Sequence, residues 1–349
     1  MRNVRGSCLL LVSCGAIFFV GCGGIRHDFS RAAPQPALPL VWPEPPAQPR
    51  IRFLESITTP PGAGARKTYL RRLAGAFFGR SVDRLIRPVG LAGRDGMLLL
   101  ADAGGQTVYL FNLATNSSQK ITSAAGAQLV SPIGVALGDN RIYVSDSHLG
   151  RVLLYDLRGR FLGSMGEREL ERPTGLAVDR RAGRLYVADT TAHRIAVYDM
   201  EGQLQRFIGA RGTGDGEFNF PTYVLVDEEG FLHVVDSLNY RIQTFDRSGR
   251  FASKFGHQGD GSGHFASPKG ISMDSQGHLY VVDALFDTVQ VFDQRGALLL
   301  TFGERGGGAG QFWLPTGLHI DDKDRIYVAD SFNQRIQVFQ FLGNPDGRS

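Results

Sequence analysis

The stretch YVADSFNQRIQVF, from Tyr327 to Phe339, decides the fold because the chain repeats it with small changes. The close copies are YVSDSHLGRVLLYD from Tyr143, YVADTTAHRIAVYD from Tyr186, HVVDSLNYRIQTFD from His233 and YVVDALFDTVQVFD from Tyr280. A more diverged copy, LLADAGGQTVYLFN, begins at Leu99. The aspartates of the six copies lie 43 to 47 residues apart, at Asp102, Asp146, Asp189, Asp236, Asp283 and Asp330.

A second element precedes every copy and contains Pro-x-Gly or a variant of it. The six versions are RPVGLA from Arg87, SPIGVA from Ser131, RPTGLAVD from Arg172, FPTYVLVD from Phe220, SPKGISMD from Ser267 and LPTGLHID from Leu314. Each unit thus offers four short apolar runs separated by turn residues, which indicates an antiparallel meander of four strands. Consecutive units of this length predict the blades of an all-β propeller, here with six blades.

The sixth copy lacks room for its fourth strand, because the chain stops soon after Phe341. The missing strand is predicted at the other end of the domain, in RIRFLESIT at residues 50–58, which has strand composition. Pairing of this segment with the last copy would close the ring and remove two free sheet edges.

In combination, Pro-x-Gly, YVAD, four variable residues and RI-x-V-F-D resemble the NHL repeat. The resemblance extends from about residue 87 to residue 341 and includes the closing strand. The whole chain is similar to bacterial NHL-repeat lipoproteins of the cell envelope, and this resemblance implies a six-bladed propeller with four-stranded blades. Six-bladed relatives include lyases and lactonases that hold zinc or calcium in the central channel.

Residues 1–21 are predicted to be a signal peptide, because two arginines precede an apolar run that is short for a membrane span. The run ends in FVGC at 19–22, which resembles a bacterial lipobox, so Cys22 is the expected lipidated residue. LVSC at 11–14 also fits the pattern, and an ordinary secretory signal or a short anchor is the alternative. Glycine rather than aspartate follows the cysteine, at Gly23, and in this the chain resembles lipoproteins that are exported to the outer membrane.

Three segments flank or interrupt the predicted propeller domain of residues 50–342. Residues 22–49 are rich in proline, which favours an extended and semi-rigid tether. Residues 66–80 are basic and carry apolar residues at helical spacing, so this segment either lies on an anionic membrane or packs on the propeller. Residues 343–349 form a C-terminal tail.

Composition narrows the function. The chain of 349 residues has a net charge of +4, and two of its arginines lie in the leader, so the remainder is nearly neutral and does not favour a nucleic-acid partner. Its three cysteines are Cys8, Cys14 and Cys22. The predicted domain therefore has no disulfide and no cysteine-based zinc site.

The constant letters of the repeat are predicted to be structural. The aspartate that ends YVAD can accept hydrogen bonds from turn amides and can pair with an arginine five residues later. Two copies have Thr107 and Thr288 in place of this arginine. The expected clasps are Asp146–Arg151, Asp189–Arg194, Asp236–Arg241 and Asp330–Arg335.

The variable letters are predicted to lie on a binding rim. In a propeller of this topology, the loop into the first strand and the turn between the second and third strands open on one face. Large apolar side chains at such loop tips indicate an interaction surface. The candidate rim residues are Leu238, Tyr240, Phe286, Trp313, Phe332, Lys269, His148 and His193. Phe218, Phe265 and Phe312 recur in the loops before blades 4, 5 and 6 and are expected to staple neighbouring blades.

No catalytic motif is evident. The histidines form no His-x-His or His-Glu-x-x-His arrangement, although His148 and His193 occupy neighbouring turns and His319 lies on a predicted first strand. We expect a monomeric, membrane-anchored binding module without a cofactor, which recognises an envelope protein, a peptide or a glycan. The alternative is a metal-dependent lyase or lactonase-like hydrolase with zinc or calcium in the channel.

Overall fold

The computed structural model describes residues 39–60 and 84–343, and nearly all regular structure in this part of the chain is β-strand. The predicted signal peptide with Cys22, the basic segment 66–80 and residues 344–349 lie outside the described residues. Within the described part, no helix has the length and apolar character needed to cross a membrane.

Two short N-terminal strands precede the blades, and each of the first three blades is a four-stranded antiparallel meander. The strands are β1 Val41–Trp42 and β2 Ile51–Ile57; β3 Pro88–Arg94, β4 Met97–Asp102, β5 Thr107–Asn112 and β6 Ser117–Ile121 in blade 1; β7 Ser123–Ala124 and β8 Ala127–Gln128 in a small hairpin; β9 Pro132–Leu137, β10 Arg141–Asp146, β11 Arg151–Asp156 and β12 Phe161–Met165 in blade 2; and β13 Pro173–Asp179, β14 Arg184–Asp189, β15 Arg194–Asp199 and β16 Leu204–Ile208 in blade 3.

Blades 4 and 5 repeat the meander, and blade 6 begins it with three strands. The strands are β17 Pro221–Val226, β18 Leu232–Asp236, β19 Arg241–Phe245 and β20 Phe251–Phe255 in blade 4, with the 3₁₀ turn Ser237–Asn239 between β18 and β19; β21 Pro268–Met273, β22 Leu279–Asp283, β23 Thr288–Phe292 and β24 Leu298–Phe302 in blade 5; the parallel pair β25 Glu304–Arg305 and β26 Gln311–Phe312; and β27 Leu318–Ile320, β28 Arg325–Asp330 and β29 Arg335–Phe341 in blade 6.

The N-terminal strand closes the ring, as the sequence predicts. Strand β2 pairs antiparallel with β29 and supplies the fourth strand of blade 6, with Phe53 opposite Phe339 and Ile57 opposite Ile336. The two ends of the domain are thereby hydrogen-bonded into one sheet, which leaves neither end of the ring as an open edge.

Blade 6 has a fifth strand, which lies in the segment predicted to be a tether. Strand β1 pairs with the outer side of β2, and the ring of Trp42 packs against Phe339 and Phe302 at centroid distances of 5.7 and 6.0 Å. The described domain therefore begins before the predicted boundary at residue 50. The apolar pair Val41–Trp42, inside the proline-rich segment, pairs with the edge of the sheet and packs on its aromatic residues. Residues 22–38 of the predicted tether lie outside the described residues.

The core is a ring of six interfaces rather than one central mass. Six buried apolar clusters occupy the spaces between neighbouring blades. Both faces of a middle strand are therefore covered, and in β14 every residue from Leu185 to Asp189 is buried. This arrangement explains why the repeat reads as nearly continuous apolar runs rather than as alternating apolar and polar residues.

The inner strands approach each other so closely that five of the six carry glycine two residues after the proline. A Cβ atom at Gly134 would lie 2.0 Å from the carbonyl oxygen of Thr174 in blade 3, and one at Gly317 would lie 2.2 Å from that of Val89 in blade 1. Any side chain at these positions would force neighbouring blades apart. Blade 4 is the exception, with Tyr223 at the glycine position.

Candidate functional site

The aspartate of the repeat joins two loops of its own blade: the entry loop, which leads into the first strand, and the second turn, between the second and third strands. In blade 1, Asp102 accepts hydrogen bonds from the amides of Ile86 and Arg87 in the entry loop at 2.8 and 2.7 Å, and from Gly105 in the second turn at 3.1 Å. The other five aspartates also bond to their entry loops, and all six are fully buried. Entry loops and second turns thus form one surface, the rim face.

Three of the four predicted clasps are present. The Nε–Oδ2 distances are 3.2 Å in Asp189–Arg194, 2.8 Å in Asp236–Arg241 and 2.7 Å in Asp330–Arg335. The fourth prediction is wrong, because Arg151 bonds to Glu167 at 2.6 Å. Backbone amides of the entry loop and of the second turn satisfy Asp146 instead.

In blades 4 and 6 the clasp arginine also organises the glycine-rich loop before the blade. Arg241 donates to the carbonyl oxygens of Thr213, Gly214 and Glu217 at 2.7 to 2.9 Å, and Arg335 makes the equivalent three contacts in blade 6. The guanidinium group suits this task because it offers five donors in a rigid fork. The predicted staples lie in the loops before blades 4, 5 and 6 and are fully buried, namely Phe218, Phe265 and Phe312.

Among the described residues, five large apolar side chains are exposed on the rim face, in an arc from blade 4 through blades 5 and 6 to the entry of blade 1. Their exposed fractions are 49% for Leu238, 62% for Leu285, 45% for Trp313, 51% for Phe332 and 53% for Ile86. The rings of Trp313 and Phe332 are 5.6 Å apart and tilted by 42°. A groove of about 550 Å³ lies between Phe332 and Ile86, and Gln106 and Gln334 also line it.

Two members of this arc, Ile86 and Leu285, are not among the candidate residues selected from the sequence. Their positions in the repeat would have identified them. Ile86 stands two residues before the proline of its blade, as Trp313 does in blade 6. Leu285 stands two residues after the aspartate, as Leu238 and Phe332 do.

The other candidate residues are less accessible or more isolated. Tyr240 and Phe286 are half-buried, and Tyr240 packs against the apolar cluster between blades 4 and 5. His193 is buried, accepts a hydrogen bond from the amide of Phe220 at 3.2 Å and packs on the ring of that residue. His148 is exposed in blade 2, away from the arc. Lys269 is half-buried on the inner strand of blade 5, where burial lowers the pKa of its ammonium group.

One side chain crosses the central channel. The hydroxyl of Tyr223, on the inner strand of blade 4, donates to the carbonyl oxygen of Val89 in blade 1 at 3.1 Å. Because the inner strands contact each other in ring order, these two blades lie opposite each other and the tyrosine ring spans the channel. Burial raises the pKa of Tyr223, so the hydroxyl remains a donor.

The histidines considered for a channel metal do not converge. His148 and His193 lie in second turns on the rim face, whereas His319 lies on the inner strand of blade 6. Across residues 39–60 and 84–343, no three histidine, cysteine, aspartate or glutamate side chains are placed to hold a metal ion together. The residues present therefore do not fit the zinc or calcium site that the resemblance to channel lyases implies.

Family models match three parts of the chain. Residues 170–198 and 312–339, which fall in blades 3 and 6, match the NHL repeat. Residues 229–287, in blades 4 and 5, match a family described as a 6-bladed beta-propeller. A search of curated proteins found no significant match.

Solved structures agree with this fold. A protein of unknown function from Bacteroides thetaiotaomicron is 17% identical with a TM-score of 0.58, over 75% of this chain and 70% of that chain. A catalytically inactive virginiamycin B lyase from Staphylococcus aureus, solved with quinupristin, is 12% identical with a TM-score of 0.55, over 74% and 96%. A chain of a nidogen–laminin complex is 17% identical with a TM-score of 0.56, over 78% and 97%. At these identities the likeness establishes the fold alone.

Proposed function

Because the chain is a six-bladed β-propeller that contains NHL repeats, we propose that it is a binding module for an apolar peptide segment of a partner protein. The observation that carries this proposal is the arc of five exposed apolar side chains on the rim face. Exposed apolar groups that cluster on the loops of a rigid scaffold are typical of interaction sites.

The arc is confined to one side of the ring, which supports a specific role for it. Blades 2 and 3 have polar residues at three of the four equivalent repeat positions, namely His148, Glu171 and Thr191, and the half-buried Val130 at the fourth. A requirement shared by all blades would have placed apolar residues there as well. The exposed residues therefore serve something outside the repeat.

A peptide fits the groove better than a flat sugar ring does. An apolar side chain of the peptide would fill the space between Phe332 and Ile86, which Gln334 also lines. The two exposed aromatic rings of the arc, Trp313 and Phe332, pack on each other at a tilt and do not offer one flat platform. A glycan remains the alternative ligand. A metal-dependent lyase has no support from the geometry, since no three candidate ligands converge in residues 39–60 and 84–343.

The test compares arc positions with equally exposed apolar positions elsewhere. A photo-crosslinking amino acid would replace Phe332 or Leu285 in the arc, and Leu162 or Leu299 on the outer strands as matched controls. In cells that naturally express the protein, we expect a discrete protein adduct from the arc positions and none from the controls. The same adducts from both sets of positions, or no adduct from either set, would contradict the proposal. An adduct that disappears after glycosidase treatment would show that the ligand is a glycan and not a peptide.

We also propose that the module is exported and anchored in the bacterial envelope by lipid on Cys22. This proposal is supported by the lipobox-like FVGC at residues 19–22 and by the proline-rich segment that follows. We expect the wild-type chain in the membrane fraction with an acylated N-terminus, and a Cys22→Ala chain in the soluble fraction. An unmodified Cys22 in the purified mature protein would contradict the anchoring.

A further inference from the structure

Three blades carry the same pair of hydroxyl groups at the rim end of the inner strand, and blade 5 does not. In blades 3, 4 and 6, the residue after the inner proline bonds to the residue after the aspartate through their hydroxyl oxygens, at 2.6 to 2.7 Å. In blade 5 the corresponding residues are Lys269 and Ala284. A lysine has therefore replaced a bonded hydroxyl group. The three hydroxyl pairs are Thr174–Thr190, Thr222–Ser237 and Thr316–Ser331.

The backbone on both sides of Lys269 is fixed at the wall of the channel. The carbonyl oxygen of Pro268 accepts a bond from Ser237 Oγ of blade 4 at 3.1 Å. The amide of Gly270 donates to the carbonyl oxygen of Thr316 in blade 6 at 2.8 Å. The side chain of Lys269 is half-buried and begins at the rim end of its strand, so its ammonium group lies near the mouth of the channel on the rim face.

The ammonium group of Lys269 has no ion-pair or hydrogen-bond partner within residues 39–60 and 84–343. Burial lowers the pKa of this group, and the carboxylate of Asp283 offsets the effect only in part. A charge that is partly removed from water without a bonded partner is unfavourable for the folded state. Such a charge is compensated when a group from outside the chain pairs with it.

A structural role for Lys269 as the counter-ion of Asp283 does not explain its presence. Blades 1 and 2 also lack the clasp between aspartate and arginine, and they have Val89 and Ile133 where blade 5 has the lysine. A blade without a clasp therefore does not require a cation at this position. Asp283 is bonded by its own blade, through the backbone amides of Ala266, Ser267, Leu285 and Phe286 at 2.7 to 3.2 Å.

The lysine belongs to the blade at the middle of the apolar arc. Leu285 of the same blade is exposed, with Leu238 of blade 4 on one side and Trp313 and Phe332 of blade 6 on the other. These arc residues lie in entry loops and second turns, whereas Lys269 lies on an inner strand and is closer to the axis of the ring. An apolar segment that lies on the arc can therefore place one polar group at the channel mouth.

Resting on the proposed function, we propose that the apolar peptide carries a carboxylate, which pairs with the ammonium group of Lys269 at the rim mouth of the channel. Carboxylates of aspartate, glutamate and the C-terminus are the anionic groups that an unmodified peptide offers at neutral pH. An ammonium group is a compact charge on a flexible stem, so it can pair with a carboxylate in varied geometry. The arc would hold the apolar side chains, and the ion pair would fix the register of the segment.

The first experiment measures the coupling between Lys269 and the carboxylate of a ligand. The chain has two tryptophans, so a full-length Trp42→Phe protein reports occupation of the arc through the fluorescence of Trp313. The probes are the tripeptide N-acetyl-Leu-Leu-Phe as the free acid and as its C-terminal amide. We expect the acid to bind at least about tenfold more tightly than the amide, the effect of one hydrogen-bonded charge pair.

Two matched variants of this protein assign the preference to one lysine. Lys269→Met should bind both probes as weakly as the amide is bound before the change. Lys254→Met removes the charge of an exposed lysine on the outer strand of blade 4 and should keep the preference for the acid. Equal binding of acid and amide before the change, or an equal loss of preference in both variants, would overturn this proposal alone. Absence of binding of both probes would contradict the proposed function as well.

Stability gives a second readout that needs no ligand. Lys269→Met should leave the midpoint of urea unfolding unchanged or raise it, because the partly buried charge is removed and blades 1 and 2 carry apolar residues at this position. A lower midpoint would identify Lys269 as the structural counter-ion of Asp283 and would overturn the proposal. Circular dichroism of each variant confirms that the propeller is folded.

Discussion

Blades 1–3 and blades 4–6 share one scaffold but differ wherever the scaffold leaves a position free. Two residues after the aspartate, blades 1–3 carry Gly104, His148 and Thr191, whereas blades 4–6 carry Leu238, Leu285 and Phe332. Four residues after the inner proline, blades 1–3 carry Ala92, Ala136 and Ala177, whereas blades 4–6 carry Leu225, Ser272 and His319. Both the rim arc and the acidic pocket at the first turns of blades 4–6 therefore belong mainly to the second half of the ring.

The loops show the same division. The aspartates of blades 4–6 follow their predecessors at a spacing of 47 residues, against 44 and 43 for blades 2 and 3. The extra length forms the glycine-rich entry loops, which are anchored by Phe218, Phe265 and Phe312. Specialisation of half of a ring is compatible with stability because each blade packs mainly on its two neighbours. The five predictions below test which differences matter, from the largest expected effect to the smallest.

Removal of a buried clasp should destabilise the second half most. Arg241→Ala should lower the free energy of unfolding by about 3 to 4 kcal/mol, because the fully buried Asp236 loses its ionic partner. Arg151→Ala should cost less than about 1 kcal/mol, because its partner Glu167 is about half exposed. Urea denaturation of both variants measures the difference, and equal losses would contradict the distinction between blades 2 and 4.

The glycines of the inner ring should be intolerant of any side chain. Gly134→Ala should cost about 2 to 3 kcal/mol, because the new methyl group would meet the carbonyl oxygen of Thr174 in the next blade. Gly96→Ala is the control, since its φ of +74° is strained for alanine but nothing lies within 4 Å of its Cβ position. This control should cost about 1 kcal/mol. A larger loss at Gly96 would show that backbone strain rather than blade contact dominates.

The bond across the channel should contribute modestly. Tyr223→Phe should lower the free energy of unfolding by about 1 kcal/mol, the usual net value of one hydrogen bond. The loss should not be larger, because the Val89 carbonyl also accepts a bond from Thr316 at 3.2 Å. Thermal unfolding in parallel with the wild type measures the change, and a stability equal to that of the wild type would mean that the Tyr223 bond is not formed in solution.

Two histidines of blades 5 and 6 should respond to pH with opposite signs. The hydrogen bond to Asp274 raises the pKa of His278. The stability that this charged pair adds to the folded state is therefore complete below the unfolded pKa of about 6.5, and it is lost as the pH rises through the folded pKa. Burial lowers the pKa of His319 to about 4, so the folded state loses stability as the pH falls from about 6.5 towards that value.

Variants separate the two effects. His278→Gln should cost more stability at about pH 5.5 than at about pH 8, and His319→Leu should cost less at the lower pH. Urea denaturation at both pH values is the measurement. A pH dependence of the same sign in both variants would show that the environments of the two rings are not as the structure places them.

The smallest effect on stability is expected at the rim. Phe332→Ser should change the free energy of unfolding by no more than about 0.5 kcal/mol, since its side chain is about half exposed and packs mainly on Trp313. The same variant should lose the crosslinked partner. A substantial loss of stability would reassign Phe332 from binding to structure.

The repeat alone predicts a large part of this architecture. Each blade needs four paired strands and bonded turn amides. These needs predict the register of the six aspartates, the pairing of residues 50–58 with the last copy and three of the four clasps. The fourth clasp does not form, and backbone amides bond to Asp146 instead. The clasp residues alone do not determine the conformation of the entry loop that supplies these amides.

The rim candidates were harder to choose correctly from the sequence. The last variable residue of the second turn has a positive φ in every blade, including 54° at His193 and 53° at Tyr240. That position serves the turn and the neighbouring blade, which explains why both side chains are at least partly buried. The exposed position lies two residues earlier, and it is visible in the sequence only after the copies are aligned by their turn geometry.

The sequence by itself determined the blade count, the strand order, the closing strand and the face on which the variable residues lie, because short-range patterning and turn chemistry recur in each copy. Tertiary structure alone decided that Tyr223 bridges the channel to Val89, that the strand Val41–Trp42 extends the last sheet, and that the first turns of blades 4–6 line an acidic pocket. These features join residues far apart in the chain. They depend on the curvature of the ring, which brings opposite blades within the reach of one side chain.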